Sequence, residues 1–242
     1  MFTPTFLTSA ASPRQFPADR GSEVAFVGRS NSGKSSAINA ILGVRSLARV
    51  SKTPGRTQLV NFFAVGDDKR VVDLPGYGYA KVEEAVRERW RRLVSAYLEG
   101  RRSLRGLVVT LDIRRGVTEG DELMLEWARR LELPVLALLT KADKLSRGAA
   151  LAAERAAAAR LGEAGAAVLF SAPKGTGVQE ARARLGAWLG LPPPTAPGGS
   201  GHAAGARSAG GEKKKAPGAG FRGHTRGTSP GGVTGKEPAQ GG

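Results

Sequence analysis

The sequence predicts a three-layer α/β domain built on a mostly parallel, six-stranded sheet, followed by a disordered basic tail. Three observations lead there. Short apolar runs alternate with helical patterns between residues 21 and 191, the rhythm of a sheet wrapped by helices. Two of the runs, residues 107–111 and 135–139, are almost uninterruptedly apolar, as parallel strands covered on both faces must be. Composition then changes abruptly at Pro192-Pro193-Pro194.

The first strand is the run Val24-Ala25-Phe26-Val27, which ends in a glycine-rich turn. Residues 59–65 and Arg70-Val71-Val72 form two more around a turn at Gly66-Asp67-Asp68. Residues 107–111, 135–139 and 167–170 complete the six. Helices are expected over 34–42, 82–98, 119–131, 151–161 and 178–189. Within 119–131, Leu123, Trp127 and Leu131 recur at a spacing of four, a pattern that suits core packing. The organisation is therefore an N-terminal extension (1–20), one folded domain (21–191) and a tail (192–242). The tail is Gly-, Pro-, Ala- and Ser-rich with almost no large apolar residue to bury, so it is expected to stay unfolded.

Composition excludes several chemistries. The 242 residues contain no cysteine, and both histidines, His202 and His224, fall in the tail. Disulfides, thiolate metal sites, cysteine nucleophiles and a histidine-centred active site are thereby removed. No run of 18 apolar residues or secretory leader pattern is present, so a soluble cytoplasmic protein without membrane contact is expected. The balance of 37 Lys+Arg against 21 Asp+Glu gives a net charge of +16. Seven Lys/Arg against two Asp/Glu put +5 of this on the tail and leave +11 on the rest. Such a chain is drawn to polyanions, RNA first among them. The tail has two readings, an RNA-contacting arm or a solubilising appendage.

The chemistry-bearing signal is Gly28-Arg29-Ser30-Asn31-Ser32-Gly33-Lys34-Ser35, a G-x4-G-K-[ST] loop placed between an expected strand and an expected helix. Its glycines permit a turn tight enough for several N–H groups to converge on phosphates at a helix N-terminus. Lys34 adds a point charge toward the β- and γ-phosphates, and Ser35 offers a hydroxyl to Mg²⁺. Asp73-Leu74-Pro75-Gly76 closes a strand with the carboxylate expected to act through Mg²⁺ and a glycine whose N–H can sense the γ-phosphate. Thr140-Lys141-Ala142-Asp143 follows the fifth strand. Its aspartate can accept from guanine N1–H and the exocyclic amine, which adenine cannot satisfy, while the Lys141 stem covers the purine. Phe170-Ser171-Ala172 ends the last strand where a backbone N–H reaches guanine O6. Four such motifs in this order predict a guanine nucleotide, GTP or GDP, with Mg²⁺. The loop Ser51 to Gln58 reads as a mobile switch, with Thr57 as the second hydroxyl on Mg²⁺ and Thr53 as the alternative. Lys34, Thr57 and Gly76 are the expected catalytic group.

Together with Lys52-Thr53-Pro54-Gly55-Arg56-Thr57-Gln58 and Asp73-Leu74-Pro75-Gly76-Tyr77-Gly78-Tyr79-Ala80, these residues resemble the EngB (YihA/YsxC) family of bacterial ribosome-biogenesis GTPases over roughly residues 5–190. The resemblance implies one P-loop GTPase domain acting, as a monomer, in maturation of the large ribosomal subunit, with normal septation as a second role. It carries GTP contacts onto the Gly28 to Ser35 loop, onto Gly55, Arg56, Thr57, Gln58 and Leu59, onto Asp73, Leu74, Pro75 and Gly76, and onto Thr140, Lys141, Ala142, Asp143, Phe170, Ser171 and Ala172. The Mg²⁺ ligands it implies are Ser35 and Thr57.

Tyr77 stands where Ras-like sites carry a water-orienting glutamine, which predicts intrinsic turnover of roughly 10⁻⁴–10⁻³ s⁻¹ or slower. Asn31 has two readings. In similar GTPases an asparagine here helps to hold K⁺ near the β,γ-bridging oxygen, a substitute for an arginine finger; alternatively it only stabilises the loop. A competing function is an RNA-binding module in which the nucleotide site merely senses.

Overall fold

Why these segments become strands and helices is legible from their packing. The structure, a computed structural model, describes residues 3–48, 59–78 and 83–192. The expectations for Gly55, Arg56, Thr57, Gln58, Tyr79, Ala80 and the tail fall outside these residues. Strands run β1 Thr5–Ala10, β2 Ser22–Gly28, β3 Val60–Gly66, β4 Lys69–Asp73, β5 Leu104–Asp112, β6 Val135–Thr140 and β7 Gly165–Leu169. The helices are α1 Lys34–Leu42, α2 Glu84–Gly100, α3 Glu119–Arg130, α4 Arg147–Leu161 and α5 Val178–Trp188.

The strands form one sheet in the order β1-β3-β4-β2-β5-β6-β7. From β4 to β7 the pairing is parallel, while β1/β3 and β3/β4 are antiparallel. Alternate residues of β2 feed two separate cores. Ala25 and Val27 face Leu93, Val94 and Tyr97 of α2 and Met124 and Leu125 of α3. Val24 and Phe26 face Ile38 and Ile41 of α1 and Ala181 and Leu185 of α5. Three layers result, as the sequence predicts.

Three expectations need correction. The sheet has seven strands, because Thr5–Ala10, read from sequence as part of an extension, pairs with β3 as the edge strand. Only Ala10 of this strand is buried, so its apolar pattern carries almost no signal and cross-strand pairing decides its state. In α3, Leu123 is 48% exposed. Trp127 is buried and Leu131 packs against the core as expected, but the rest of the inward face is Asp121, Met124, Leu125 and Ala128, since a spacing of four drifts off a face that repeats every 3.6 residues. Helix α4 also begins four residues before the expected start, where the Ser146 hydroxyl accepts from the Ala149 N–H at 3.4 Å, an N-cap that satisfies one orphan donor.

The sheet end opposite the glycine-rich loop is held by charge. Glu23, fully buried at the start of β2, accepts from Arg70 Nη1 at 2.9 Å, Arg101 Nε at 3.1 Å and the Tyr97 hydroxyl at 2.8 Å. A buried carboxylate is tolerable only when paired and hydrogen-bonded in this way. Asp19 adds a second clasp, its carboxylate accepting from the backbone N–H of Ser103 at 2.9 Å and of Arg102 at 3.1 Å. Burial raises the Asp19 carboxyl, but the Ser103 and Arg102 hydrogen bonds and the Arg101 charge outweigh this and bring it to about 2.

A carboxyl lowered in the folded state stabilises fully above the unfolded value of about 3.9 and loses that contribution as pH falls through the folded value. Asp19→Asn is therefore expected to cost on the order of 1–2 kcal/mol near neutrality. Urea unfolding across pH should show the gap between parent and variant constant from pH 7 to 5, then closing below about pH 4. A gap that persists unchanged at pH 3 contradicts the assignment.

Candidate functional site

All the parallel strands point their C-terminal ends the same way, and there the candidate residues gather. The loop Gly28 to Ser35 leaves β2 and enters α1, with Gly33 at φ 90° as the helix cap, a conformation glycine adopts without steric cost. Gly28 is demanded by contact: a Cβ there would lie 2.0 Å from Thr110 Oγ1 and 2.6 Å from Ser32 Oγ. Thr110 and Ser32 share a hydrogen bond of 2.7 Å. Thr140 Oγ1 donates to the Ser32 carbonyl and lies 3.0 Å from the Leu111 carbonyl. Two threonine hydroxyls thus pin the loop from beneath.

Beside the loop runs the segment after β4. Its backbone continues the parallel pairing: Leu74 N–H donates to the Phe26 carbonyl at 2.9 Å, and Ser30 N–H donates to the Tyr77 carbonyl at 2.8 Å. Asp73, 6% exposed, forms an ion pair with Lys34 through one oxygen, and its other oxygen lies 3.5 Å from Asn61 Nδ2. Asn61 accepts in turn from the Ser9 hydroxyl of the edge strand at 2.6 Å. Lys34, Ser35, Asp73, Gly76 and Lys141 line one cleft of about 900 Å³, which also reaches Leu59 and Asn61.

The oxygens in this cleft suit a hard divalent ion. Ser35 brings a hydroxyl and Asp73 a carboxylate, and Mg²⁺ takes few protein oxygens beside substrate and water. Among the described residues no group of three or more His, Cys, Asp or Glu side chains is placed to hold a metal ion.

At the other end, Asp143 accepts from the Ser171 hydroxyl at 2.6 Å. That hydrogen bond, followed by Lys144, holds the Asp143 carboxyl below the usual carboxylate range. Ala142 N–H donates to the Phe170 carbonyl at 3.1 Å, and Ser171 N–H to the Thr176 carbonyl at 3.1 Å. The 140–143 and 170–172 segments are thus brought together and preordered. Lys141, at φ 59°, reaches back with its ammonium to the Asn31 carbonyl at 2.8 Å. Asn31 is itself left-handed, at φ 63°, a conformation asparagine visits more readily than most residues.

Tyr77 does not face the cleft. It is 7% exposed, its hydroxyl donates to Asp121 of α3, and its ring meets Trp90 of α2 edge-on at 6.1 Å. Burial foremost, then the Asp121 carboxylate, pushes its phenol far above the ordinary range, so it remains a donor. Asp121 also accepts from the Thr118 N–H at 2.8 Å and hydroxyl at 2.6 Å, while Trp90 Nε1 donates to the Pro75 carbonyl at 2.8 Å. Sequence reasoning missed Thr110, Asn61 and Asp121. Thr110 and Asn61 each left a trace, as the single polar residue in the apolar runs 107–111 and 59–65.

Removing the hydroxyl from this buried pair leaves Asp121 its two Thr118 donors. Tyr77→Phe is therefore expected to lose about 1 kcal/mol of stability, read as a lower urea midpoint at unchanged slope. A midpoint within error of the parent contradicts the contact.

A family profile described as "50S ribosome-binding GTPase" matches residues 23–141. A "Probable GTP-binding protein EngB" of Coxiella burnetii (strain RSA 331 / Henzerling II) is 52% identical over 187 residues, covering 76% of this chain and 91% of the relative. A protein of the same description from Nitrosococcus oceani is 55% identical over 186 residues, covering 76% and 93%. Among solved structures, a "probable GTP-binding protein engB" superposes with a TM-score of 0.57 at 20% identity, covering 69% of this chain and 98% of that one; at that identity the likeness speaks to fold alone. Identity above half across nine-tenths of these relatives makes the chain a member of the EngB family of GTP-binding proteins, a GTPase family.

Proposed function

We propose that this chain is a slow GTP-hydrolysing switch that assists assembly of the large ribosomal subunit. The observation that carries the reading is the meeting of Lys34 and Asp73 in one cleft, with a preordered Asp143 at the far end of the same loop cluster. Here the Gly28 to Ser35 loop binds the phosphates. Lys34 leaves Asp73 for the β- and γ-phosphates, and Asp143 accepts from the two donors of guanine. Gly55, Arg56, Thr57, Gln58 and Leu59 are read as nucleotide contacts by resemblance alone, Leu74, Pro75 and Gly76 report the γ-phosphate, and Phe170, Ser171 and Ala172 border the base. Ser35 and Thr57, beside Asp73, would hold Mg²⁺, which would supply counter-charge to the phosphate oxygens.

Slow turnover follows from Tyr77. With its hydroxyl committed to Asp121 and its ring buried, it has no polar group to offer an attacking water, so acceleration is left to a partner or to K⁺ held near Asn31. The ribosomal assignment draws support from the description of the matching family and from the net charge of +16, which favours contact with RNA phosphates. The septation role is carried by resemblance alone. A monomer working in the cytoplasm is likewise carried by resemblance alone. Among the described residues no helix is long and apolar enough to cross a membrane.

Lys34→Ala separates the switch from an RNA-binding module. The switch reading expects loss of GTP binding by at least about a hundredfold, the scale of an uncompensated phosphate charge, together with loss of GTP-dependent sedimentation with large subunits. Unaltered nucleotide-dependent sedimentation would favour the module. For the ion, hydrolysis by the parent chain is expected to be faster in KCl than in NaCl at equal ionic strength; equal rates remove K⁺ from the mechanism.

A further inference from the structure

One buried carboxylate at the site is absorbed by neither the motifs nor the mechanism above. Asp112 ends β5 and is 7% exposed. In the parallel register it stands beside Thr140, the last residue of β6, so the following Lys141 begins within reach. Four donors converge on its two oxygens. Oδ1 accepts from the Arg114 N–H at 3.2 Å and from Arg114 Nε at 2.9 Å. Oδ2 accepts from Arg114 Nη2 at 2.7 Å and from Lys141 Nζ at 2.8 Å. The same Lys141 ammonium donates to the Asn31 carbonyl at 2.8 Å. The lysine side chain is therefore a strut fixed at three points: its own left-handed backbone at φ 59°, the end of β5, and the phosphate-binding loop.

We infer that Asp112 is a positioning residue for guanine-nucleotide binding, holding the Lys141 stem in the plane against which the purine packs, with Arg114 as its fixed counter-charge. This rests on the proposed reading of the cleft as a guanine-nucleotide site.

Lysine is among the side chains that lose most rotamer freedom when immobilised, and a ligand that packs on an already ordered stem does not bear that loss on binding. A carboxylate is needed because a partly exposed ammonium, at 31%, is held weakly by a single neutral carbonyl; two acceptors on different elements fix direction as well as position. Arg114 keeps the carboxylate ionised. Its hydrogen bonds foremost, with those of Lys141, hold the Asp112 carboxyl below the ordinary range in spite of burial, so the anchor is charged near neutrality. The bidentate approach of Arg114 also fixes the plane of the carboxylate, which aims Oδ2 toward the lysine.

Asp112 bonds to Arg114 and Lys141 and to none of the residues read as sensing the γ-phosphate, so its loss is expected to fall equally on GTP and GDP. It also acts through Lys141 and not independently of it. The test is a double-mutant cycle on the full chain, with fluorescent GTP, GDP and ATP titrated against parent, Asp112→Ala, Lys141→Ala and the double variant in Mg²⁺ buffer. Melting curves accompany each variant. Asp112→Ala is expected to weaken GTP and GDP by a common factor of about tenfold. The double variant is expected to be no weaker than Lys141→Ala alone, and Asp112→Asn, which keeps an acceptor and loses the charge, to fall between parent and alanine. If the alanine variant does not fold, the asparagine variant carries the same cycle. Strict additivity of the two substitutions, unequal effects on GTP and GDP, or affinities within twofold of the parent would overturn the inference. A parent chain with no preference for guanine over adenine nucleotides would instead sink the proposed function itself.

Discussion

The close approach of the Gly28 to Ser35 loop to the ends of β4, β5 and β6 is the contact on which the rest depends. With Gly28 seated 2.0 Å, by a notional Cβ, from the Thr110 hydroxyl, no side chain fits between loop and sheet. That closeness lets Thr140 hold the Ser32 carbonyl, Lys141 the Asn31 carbonyl and Tyr77 the Ser30 N–H. Parallel pairing makes it possible, because it alone brings several strand ends to one edge with short polar loops attached. A loop raised by one methyl group would lose the shared geometry at several points together.

The charges around the cleft are arranged as exchangeable pairs rather than as buried staples. Lys34 and Asp73 neutralise one another, and both are groups that a phosphate and a divalent ion would recruit. At the opposite sheet end Glu23 is enclosed by Arg70, Arg101 and Tyr97, with no opening for a competitor. The same ion-pair chemistry thus serves binding at one edge and rigidity at the other; the difference is access. Tyr77 belongs to the second kind. Its ties to Asp121 and, through its ring, to Trp90 join the segment after Asp73 to both α2 and α3, so a displacement at Gly76 has a mechanical route to two helices.

The sequence made much of this legible. The apolar runs of β2, β5 and β6 marked parallel strands because both of their faces are covered. The motifs at their ends were recognisable because phosphate, Mg²⁺ and guanine each impose a residue type at a fixed place along the chain. Helix α1 was bounded correctly by a left-handed glycine at each end, Gly33 and Gly43.

Other features were decided only by tertiary structure. Thr5–Ala10 is a strand because β3 offers it an edge, and its own side chains scarcely enter the core. Leu123 points outward because the 3.6-residue repeat of α3 turns Met124 and Ala128 inward. Asn61, Asp112 and Asp121 look like ordinary polar residues in the chain; the partners Asp73, Lys141 and Tyr77 that tie them to the loop cluster lie 12, 29 and 44 residues away. Local sequence specifies which groups are available and their spacing along one strand or loop. It cannot state which strand ends become neighbours, and in this protein that adjacency determines which carboxylate meets which cation.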